Sequence, residues 1–333
     1  MPSGPRVRLI QLLKMLNPNF LFAYLLGKYG QKQVRRIARP TGQYNLNIPE
    51  VGSFKIPLLT DVFQDSVAKN IKKAHERLDA SHTLVSNAQL NLTDALGLND
   101  WQPDPASINT RTISDALSAG RLDAEYFRPR YQSLIALLRQ QGKTLRSVAR
   151  LRETVFTPQP GQPFHYIEIS DLAADGAATS NEVPGEEAPS RATWIVQPGD
   201  VITSTVRPIR CLTGLIEPEQ AGNICSSGFA VLTPKRIPSE LLFAYLRLPV
   251  FCELMDLHTT ASMYPAISTT DLMRLPFLMP DDATIKKVKS QITAARAARR
   301  EAHALLENAK QAVEIAIDKN EAAALAYLKK NGV

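Results

Sequence analysis

The short motifs in this sequence that could carry enzymatic chemistry are all incomplete. Gly142-Lys143-Thr144 resembles the end of a phosphate-binding loop, but position 137, where the first glycine of that motif belongs, is a leucine. We therefore interpret this tripeptide as a surface turn. The sequence contains neither a Gly-x-Gly-x-x-Gly nor a His-Glu-x-x-His motif.

The histidines, acids and serines also lack a catalytic pattern. Pro280-Asp281-Asp282 precedes a predicted helix, where N-capping explains the two acids better than metal binding does. Ser226-Ser227 has no neighbouring base in the sequence. No metal-ligand spacing connects the histidines, which are His75, His82, His165, His258 and His303. We expect a non-catalytic protein with no metal site and no cofactor.

Composition is that of an ordinary globular protein of about two domains. The chain has 333 residues, of which 44% are hydrophobic and 21% are charged. Lys14 interrupts the N-terminal apolar run and Asn17-Pro18-Asn19 follows it, so we predict neither a signal peptide nor a membrane span. Cys211, Cys225 and Cys252 are odd in number and widely spaced, which favours reduced thiols. We expect a cytoplasmic location and no contact with a membrane.

The net charge of +7 is concentrated near the N-terminus. Residues 1–49 contain no acid, and the remainder of the chain is close to neutral. This pattern predicts an anionic partner near the N-terminal arm. The basic residues of the arm are Arg6, Arg8, Lys14, Lys28, Lys32, Arg35, Arg36 and Arg39.

A long pattern of residues occurs twice in the chain. Each copy has a Phe-Ala-Tyr segment, then a short segment that ends in an apolar residue and proline, then a long helix-like run. The pairs with a shift of 221 are Phe22/Phe243, Val67/Val288, Ile71/Ile292 and Asn87/Asn308, and those with a shift of 219 are Ile48/Ile267 and Pro57/Pro276. Such a period is far above the ~20 to 50 residues of stacked repeats.

We interpret the repeat as a duplicated module that ends in a helix. The first copy begins about twenty residues before its Phe-Ala-Tyr segment, whereas the second has more than a hundred residues there. We therefore expect residues 1–60 to be the remnant of a first module. A helix is predicted within it from Asn19 to Lys28, with Asn19 as the cap and Gly30 as the stop.

Two long helices are predicted, over residues 61–98 and 282–318. Each carries one apolar stripe with spacings of three and four, and each would be about 54 Å long at 1.5 Å per residue. Because the stripe is duplicated in register, we predict that the two helices form a coiled coil with each other. The alternative is a pair of unrelated surface helices. The predicted seam consists of Val67, Ile71, Ala74, Ala88, Val288, Ile292, Ala295 and Ala309.

The segment between the long helices is predicted to be α+β. Residues 99–110 form a linker with two prolines, and residues 111–281 form a module that begins and ends with helices around a β-rich body. Residues 319–333 are expected to be a C-terminal tail. The predicted strands are Phe164–Ile169, Trp194–Val196, Asp200–Val206, Thr213–Ile216 and Gly228–Leu232, and a helix is predicted over Leu241–Leu257.

These motifs together resemble the specificity (S) subunits of type I restriction-modification systems over nearly all of residues 20–318. The duplicated long helices resemble that family's spacer helices, and 111–281 resembles its target recognition domain. The motifs that carry the resemblance are Asp123-Ala124-Glu125-Tyr126-Phe127, 166–172, Gly199-Asp200-Val201-Ile202, 226–232, Tyr264-Pro265-Ala266-Ile267 and Leu275-Pro276.

The resemblance implies a small β-rich target recognition domain and two spacer helices that form an antiparallel coiled coil. It implies a non-catalytic subunit that reads a half-site in double-stranded DNA and recruits adenine methyltransferase (modification) subunits, and through them a restriction motor subunit. Since the first recognition domain is nearly absent, the chain is expected to be either a truncated subunit or a half-subunit that pairs with itself or with a second S chain. The alternative is a dimerising scaffold or decoy that binds modification subunits without sequence readout.

Candidate DNA contacts follow from this resemblance and from the chemistry of base recognition. Arg207 and Arg210 follow a predicted strand and could contact guanine, or they could form ion pairs with acids. Ser226 and Ser227 could contact DNA or form a structural turn. The other candidates, which could reach phosphates or bases, are Thr259, Thr260, Ser262 and Tyr264. For Tyr264 the alternative is packing, which is favoured because it lies near the repeat position of Tyr44.

Overall fold

The computed structural model describes residues 16–37, 39–40, 44–106, 108–260 and 263–332. The chain divides into two compact units, which we call the first unit (Met1–Thr83 and Ala294–Val333) and the second unit (Leu84–Thr293). The described residues form a mixture of helices and short strands, so the predicted α+β class is confirmed.

The elements follow one another as helices, then mostly strands, then helices. Up to the first long helix they are α1 (Pro18–Leu26), α2 (Lys28–Ile37), β1 (Arg39–Pro40), β2 (Tyr44–Asn45), α3 (Ile48–Gly52) and α4 (Asp61–Ala95). The next are α5 (Ile113–Ala119), α6 (Pro129–Leu138), α7 (Leu145–Val148), β3 (Ala149–Leu151), β4 (Phe164–Ile167), β5 (Asn181–Val183), β6 (Ala192–Ile195), β7 (Val201–Ser204), β8 (Thr213–Leu215), β9 (Ile224–Ser226) and β10 (Phe229–Pro234). The last are α8 (Ser239–Tyr245), α9 (Pro249–Leu257), β11 (Thr259–Thr260), β12 (Ala266–Ile267), α10 (Thr269–Arg274), α11 (Asp282–Asp318) and α12 (Glu321–Asn331).

The predicted repeat is confirmed by the order and the spacing of these elements. Helices α1, α2, α3 and α4 each begin 221 residues before α8, α9, α10 and α11, respectively. The hairpin β1–β2 lies between α2 and α3, as the hairpin β11–β12 lies between α9 and α10. The two copies therefore share local structure as well as sequence pattern.

The first unit is held together by an apolar core between helices. Phe20 and Tyr24 of α1 pack with Val67 and Ile71 of α4 in one buried cluster. Further buried members of this cluster come from α11 and α12, namely Ala309, Ala312, Val313, Ala316, Ala324 and Leu328. Leu16, Ile56 and Leu59, which lie outside the helices, complete this mostly helical core.

Within the first unit, α4 and α11 run in opposite directions. Ile71 and Ala309 belong to one cluster, and Ala74 packs with Ala302 and Leu305 in the next one along. Farther along α4, the Nε atom of Arg77 lies 3.0 Å from a carboxylate oxygen of Glu301. Since the α4 numbers rise as the α11 numbers fall, the contact is antiparallel. Small alanines allow this close approach.

Three local predictions in this unit and its C-terminal segment are wrong. Asn17, not Asn19, caps α1, and its side chain accepts a hydrogen bond from the Asn19 amide at 3.0 Å, because Pro18 occupies the first helical turn. Gly30 does not stop a helix but lies buried inside α2. The expected C-terminal tail contains α12, which is capped by Asn320 and buries Ala324 and Leu328.

The second unit contains two four-stranded sheets. One has the order β3-β10-β7-β8 and is antiparallel throughout, and the other has the order β5-β4-β9-β6 with β4 and β9 parallel. Both sheets contribute buried side chains to one cluster, so they share a core. Its members include Ile167, Ile202, Cys225, Phe229 and Val231. All five predicted strands are present, with slightly different ends.

Helices of the second unit also depart from prediction in their bounds. The predicted helix Leu241–Leu257 is two helices, α8 and α9, and the second begins at Pro249 because proline has no N–H for a continuous helix. The first long helix was predicted to reach residue 98 and ends at Ala95, and Gly97 adopts a left-handed conformation with φ of 67°. The bounds of α11 agree with those predicted. The three cysteines are free thiols.

Asp200 organises the polar interior of the second unit. Its side chain is 1% exposed and accepts hydrogen bonds from the Arg152 guanidinium at 2.5 and 3.2 Å. It also accepts from the Gln197 amide at 2.9 Å and from the Thr233 hydroxyl at 2.7 Å. Four donors therefore satisfy a buried carboxylate where β7 begins.

Across the described residues, the helices that are long enough to cross a bilayer are all too polar to do so.

We predict that Gly30→Ala destabilises the first unit. A Cβ atom at this position would lie 2.5 Å from both the Leu25 Cα atom and the Tyr24 carbonyl oxygen, and backbone atoms cannot move aside cheaply. Overpacking of this kind costs about 1–3 kcal/mol. Urea unfolding should show the loss, and Gly52→Ala is the control because nothing lies within 4 Å of its added methyl group. Equal stability of the two variants would contradict close packing of α1 on α2.

We predict that Asp200→Asn lowers the free energy of unfolding by about 2–4 kcal/mol, because it leaves the Arg152 charge without its buried partner. The control is Glu125→Gln, which breaks an exposed pair with Arg128 of 2.9 Å and should cost less than about 0.5 kcal/mol. Urea unfolding monitored by tryptophan fluorescence measures both. A loss for Asp200→Asn no larger than the control's would show that the pair does not stabilise the second unit.

Candidate nucleic-acid interface

Three segments of the second unit meet at Thr205, which directly follows β7. The Thr205 amide and hydroxyl both donate to the Gly228 carbonyl oxygen at 2.9 Å, next to the start of β10. The Thr205 carbonyl oxygen accepts from the Ile267 amide at 3.0 Å, at the end of β12. Val206 forms a further bridge with Ala266. The segments 205–211, 226–228 and 259–267, the last without residues 261 and 262, are thus brought side by side, and we call their described residues the three-segment site.

A strained turn carries the two candidate arginines. Arg207 has φ of 48° and Cys211 has φ of 53°, and both lie in the left-handed region that non-glycine residues avoid at a cost of about 1–2 kcal/mol each. Between them Pro208–Arg210 form one turn of 3-10 helix. The Arg207 amide donates to the Pro265 carbonyl oxygen at 2.8 Å, which helps to hold the turn in place. Strain of this kind is typical of functional sites.

The Arg207 side chain is oriented by its neighbours and remains accessible. Its Nη2 atom donates to the Met263 carbonyl oxygen at 3.4 Å, and its guanidinium carbon lies 5.4 Å from the centroid of the Tyr264 ring. This arrangement is a cation–π contact. Met263 and Tyr264 are themselves 76% and 65% exposed. The structure therefore brings together Arg207 and Tyr264, two residues that the sequence nominated separately.

Arg210 is exposed at the end of the same turn, next to Ile209, which is half exposed. The sequence left two readings for Arg207 and Arg210, a DNA contact or an ion pair. Within the part of the chain that the structure describes, neither guanidinium forms an ion pair.

The two serines differ in their surroundings. Ser226 is 4% exposed, and its hydroxyl oxygen accepts a hydrogen bond from the Gly228 amide at 3.2 Å. Ser227 is exposed, and its amide donates to the Arg191 carbonyl oxygen at 2.8 Å. The Ser226 hydroxyl therefore takes part in the structural turn that was the alternative interpretation, while the Ser227 side chain faces solvent.

The threonine pair lies on the hairpin of the three-segment site. Thr259 and Thr260 form β11 and pair with Ile267 and Ala266 of β12. The Thr259 hydroxyl donates to the Asp256 carbonyl oxygen at 2.8 Å, whereas Thr260 is exposed. Ser262 lies outside the described residues. Thr260 is therefore the threonine whose side chain is free to meet a ligand.

A polar cavity of about 1,010 Å³ adjoins the hairpin, and His258 lines it together with Thr259 and Thr260. Burial lowers the pKa of His258, and its Nδ1 atom lies 2.9 Å from the Leu254 carbonyl oxygen. The imidazole is consequently neutral at pH 7. The positive charge of the three-segment site comes from its arginines.

Sequence reasoning missed Thr205 and Arg191. Thr205 forms the junction, but its three hydrogen bonds reach residues 23 and 62 positions away, so no local pattern reveals them. Arg191 is an exposed arginine that directly precedes β6, and the criterion that selected Arg207, proximity to a strand end, could have selected it too. Among the described residues no three His, Cys, Asp or Glu side chains are grouped as they would be around a metal ion.

Comparison with known proteins gives matches among solved structures alone. No protein-family model matches this chain, and no curated protein matches it.

Three solved structures that resemble parts of this chain come from type I restriction-modification systems. One, from work on complex assembly and conformational transition of a type I R-M system, is 26% identical with a TM-score of 0.41, and the match covers 52% of this chain and 45% of that one. The HsdS subunit from Thermoanaerobacter tengcongensis is 28% identical with a TM-score of 0.40, over 53% of this chain and 45% of that one. The S subunit from M. genitalium is 12% identical with a TM-score of 0.34, over 92% and 72%. This chain thus matches less than half the length of the first two.

Proposed function

We propose that this chain is a DNA sequence-recognition subunit of a type I restriction-modification complex, with no catalytic activity of its own. The observation that carries the proposal is the exposed guanidinium of Arg207, which Tyr264 and the Met263 carbonyl oxygen orient at the three-segment site. The motif resemblance described above supplies the biological context. The chemistry of the site supplies the mechanism.

The proposed mechanism is direct readout in the major groove. A guanidinium presents two parallel donors that match the N7 and O6 acceptors of guanine, and such a contact discriminates against a wrong base by about 1–3 kcal/mol. Discrimination requires a guanidinium that arrives in one orientation. The Met263 hydrogen bond and the Tyr264 ring restrict Arg207 in this way before DNA is bound.

The remaining exposed groups of the three-segment site are assigned to positioning contacts. Thr260 and Ser227 can donate hydroxyl protons to phosphate oxygens, and Arg210 can neutralise a phosphate charge. Ser226, Thr259 and Ser262 stay in the proposed set as weaker candidates. In this scheme, base identity is read by Arg207 and register on the duplex is set by the others.

The proposed partner is a methyltransferase (modification) subunit, with a restriction motor subunit joining through the complex. The long helices α4 and α11 are the proposed docking elements, because they use one stripe for packing and leave charged side chains on other faces. Lys69 and Lys72 of α4 and Arg300 of α11 are exposed in this way. A second S chain is a further proposed partner.

We predict that co-expression with a type I modification subunit produces a new adenine-methylated motif, detectable by methylome sequencing, in a strain without other methyltransferases. Neither protein alone should produce it, because readout and chemistry reside on different chains. The absence of any new motif, while the two proteins co-purify, would favour the scaffold interpretation over sequence recognition.

We predict that Arg207→Ala weakens methylation of that motif by about 5- to 150-fold, which corresponds to the loss of one guanidinium–guanine contact. Arg207→Lys should lose nearly as much, because an ammonium keeps the charge without the two-donor geometry. Arg146→Ala is the control, since Arg146 is an exposed arginine of α7 outside the three-segment site. Single-turnover methylation of a duplex that carries the motif measures all three, and equal rates for all three would exclude base readout by Arg207.

A further inference from the structure

The positive charge of the chain belongs to the first unit. Residues 1–83 and 294–333 contain 20 basic and 10 acidic side chains, a net charge of +10. Residues 84–293, which include the three-segment site, contain 19 basic and 22 acidic side chains, a net charge of −3. A polyanion such as DNA is therefore attracted by the unit that does not contain the proposed base-reading residues.

Helix α2 concentrates this charge on one face. Lys28, Lys32, Arg35 and Arg36 occupy positions i, i+4, i+7 and i+8, all four are exposed, and the helix contains no acid. Gly30 is buried on the other side of the helix, whereas Tyr29 lies at the edge of the charged face, where its ring contacts the ammonium groups of Lys28 and Lys32 and packs on the apolar core. We call these four residues the basic stripe, which is about 12 Å long at 1.5 Å per residue.

Three members of the basic stripe keep their charge available. Lys28 donates to Asp318 at 2.5 Å and is the neutralised member. The Lys32 ammonium lies 6.0 Å from the centroid of the Tyr29 ring. Over the described ranges of the chain, Lys32, Arg35 and Arg36 form no ion pair.

The acids nearest the basic stripe are already engaged. Glu307 and Glu314 line a cavity of about 410 Å³ together with Lys32 and Arg35. Glu307 is bound by Lys310 at 2.7 and 2.9 Å, and Glu314 accepts from the Lys28 backbone amide at 2.7 Å. Lys310 offsets the charge of Glu307, and Glu314 keeps its negative charge because its partner is a neutral amide. The three cations Lys32, Arg35 and Arg36 outnumber this one carboxylate, so the face of α2 remains electropositive.

The internal repeat shows that this charge is not required by the fold. At a shift of 221, Lys32 corresponds to Glu253 and Arg35 corresponds to Asp256 on α9. Glu253 pairs with Arg130 at 2.5 Å, so α9 uses its charge for packing inside the second unit. The same helix of the module is acidic and internally paired in one copy, and basic and exposed in the other.

We propose that the basic stripe of α2 binds the phosphate backbone of duplex DNA without regard to sequence, and supplies affinity that the second unit lacks. Arginine and lysine on one helix face match a row of phosphates, and their binding releases counterions. DNA is favoured over an acidic protein because α2 leads into the hairpin β1–β2, the repeat counterpart of the hairpin β11–β12 in the three-segment site. The choice of DNA as the ligand rests on the proposed function.

The test compares DNA binding by the full chain and by the K32Q/R35Q/R36Q variant. Fluorescence anisotropy with a 30-base-pair duplex of random sequence, over a series of NaCl concentrations, measures affinity and its salt dependence. Each lost phosphate contact should lower the slope of log K against log [NaCl] by about 0.9, so the triple variant should lose roughly 2–3 units of slope and on the order of 10- to 100-fold in affinity near 0.1 M salt.

The control variant, K143Q/R146Q/R150Q, likewise removes one lysine and two arginines, all exposed, from the second unit outside the three-segment site. It should change affinity by less than about threefold if contact, rather than bulk charge, determines binding. K32E/R35D, which installs the side chains of the second copy, should weaken binding further than K32Q/R35Q. Equal losses for the stripe variant and the control, or no loss for either, would overturn the proposal, as would preferential binding of the stripe to an acidic polypeptide over DNA. Circular dichroism and thermal unfolding establish that the variants are folded.

The same experiment separates this inference from the proposed function. If the stripe variant loses random-sequence binding while co-expression yields no methylated motif, the stripe binds DNA and sequence recognition is wrong. If Arg207→Ala abolishes the motif while the stripe variant binds DNA normally, recognition stands and the stripe inference is overturned.

Discussion

The hydrogen bonds of Thr205 are the constraint on which the candidate interface depends. Thr205 forms three hydrogen bonds, two as a donor and one as an acceptor, to segments that are far apart in sequence. These bonds fix where β7, β12 and the start of β10 meet. The strained turn at Arg207 then continues from a rigid end rather than from a mobile loop. A left-handed backbone conformation is unfavourable for an arginine. The hydrogen bond to Pro265 and the contact with Tyr264 must therefore offset the free-energy cost of this conformation at Arg207.

Duplication of the module separates what the fold requires from what each copy does. Both copies preserve the helix order and the spacing between helix starts, so the backbone framework tolerates different side chains at the same helical positions. Buried positions keep apolar character in both, as Val67 and Val288 illustrate. Exposed or partly exposed positions diverge, as Lys32 and Glu253 illustrate. The core does not constrain the charge at these exposed positions. A change of charge there can therefore change the function of one copy without changing its fold.

Periodic patterns made much of this fold predictable from sequence, and the repeat helped because each helical pattern near the N-terminus has a counterpart near the C-terminus. The two long helices and the five strands that were predicted from the sequence are all present in the structure. Helix α12 was missed because its short, alanine-rich pattern becomes buried only through contact with distant helices. The caps of α1 were misassigned because Asn17 and Asn19 are both good caps and the choice depends on Pro18 between them.

The candidate site was predictable as a set of segments but not as an arrangement. Arg207 was chosen as an arginine that follows a predicted strand and Tyr264 as a residue that could reach phosphates or bases, and only the tertiary structure shows that the ring lies against the guanidinium. Thr205 could not be found, since nothing distinguishes it locally from other threonines in strands. Hydrogen bonds between segments that are far apart in the chain produce no periodic pattern in the sequence.

The opposite charges of the two units bear on how a sequence reader can be selective. Non-specific binding to DNA is almost wholly electrostatic, so the second unit, with a net charge of −3, would gain little from it if it reads bases as proposed. Attraction from a separate basic surface raises binding to all sequences by a similar factor and leaves the ratio between right and wrong sites to the reader. Since that ratio, multiplied by the number of competing sites, determines occupancy in a genome, a separate basic surface would raise affinity without changing the selectivity of the reader. The division of charge between the units is therefore a physical means of tuning affinity and specificity independently.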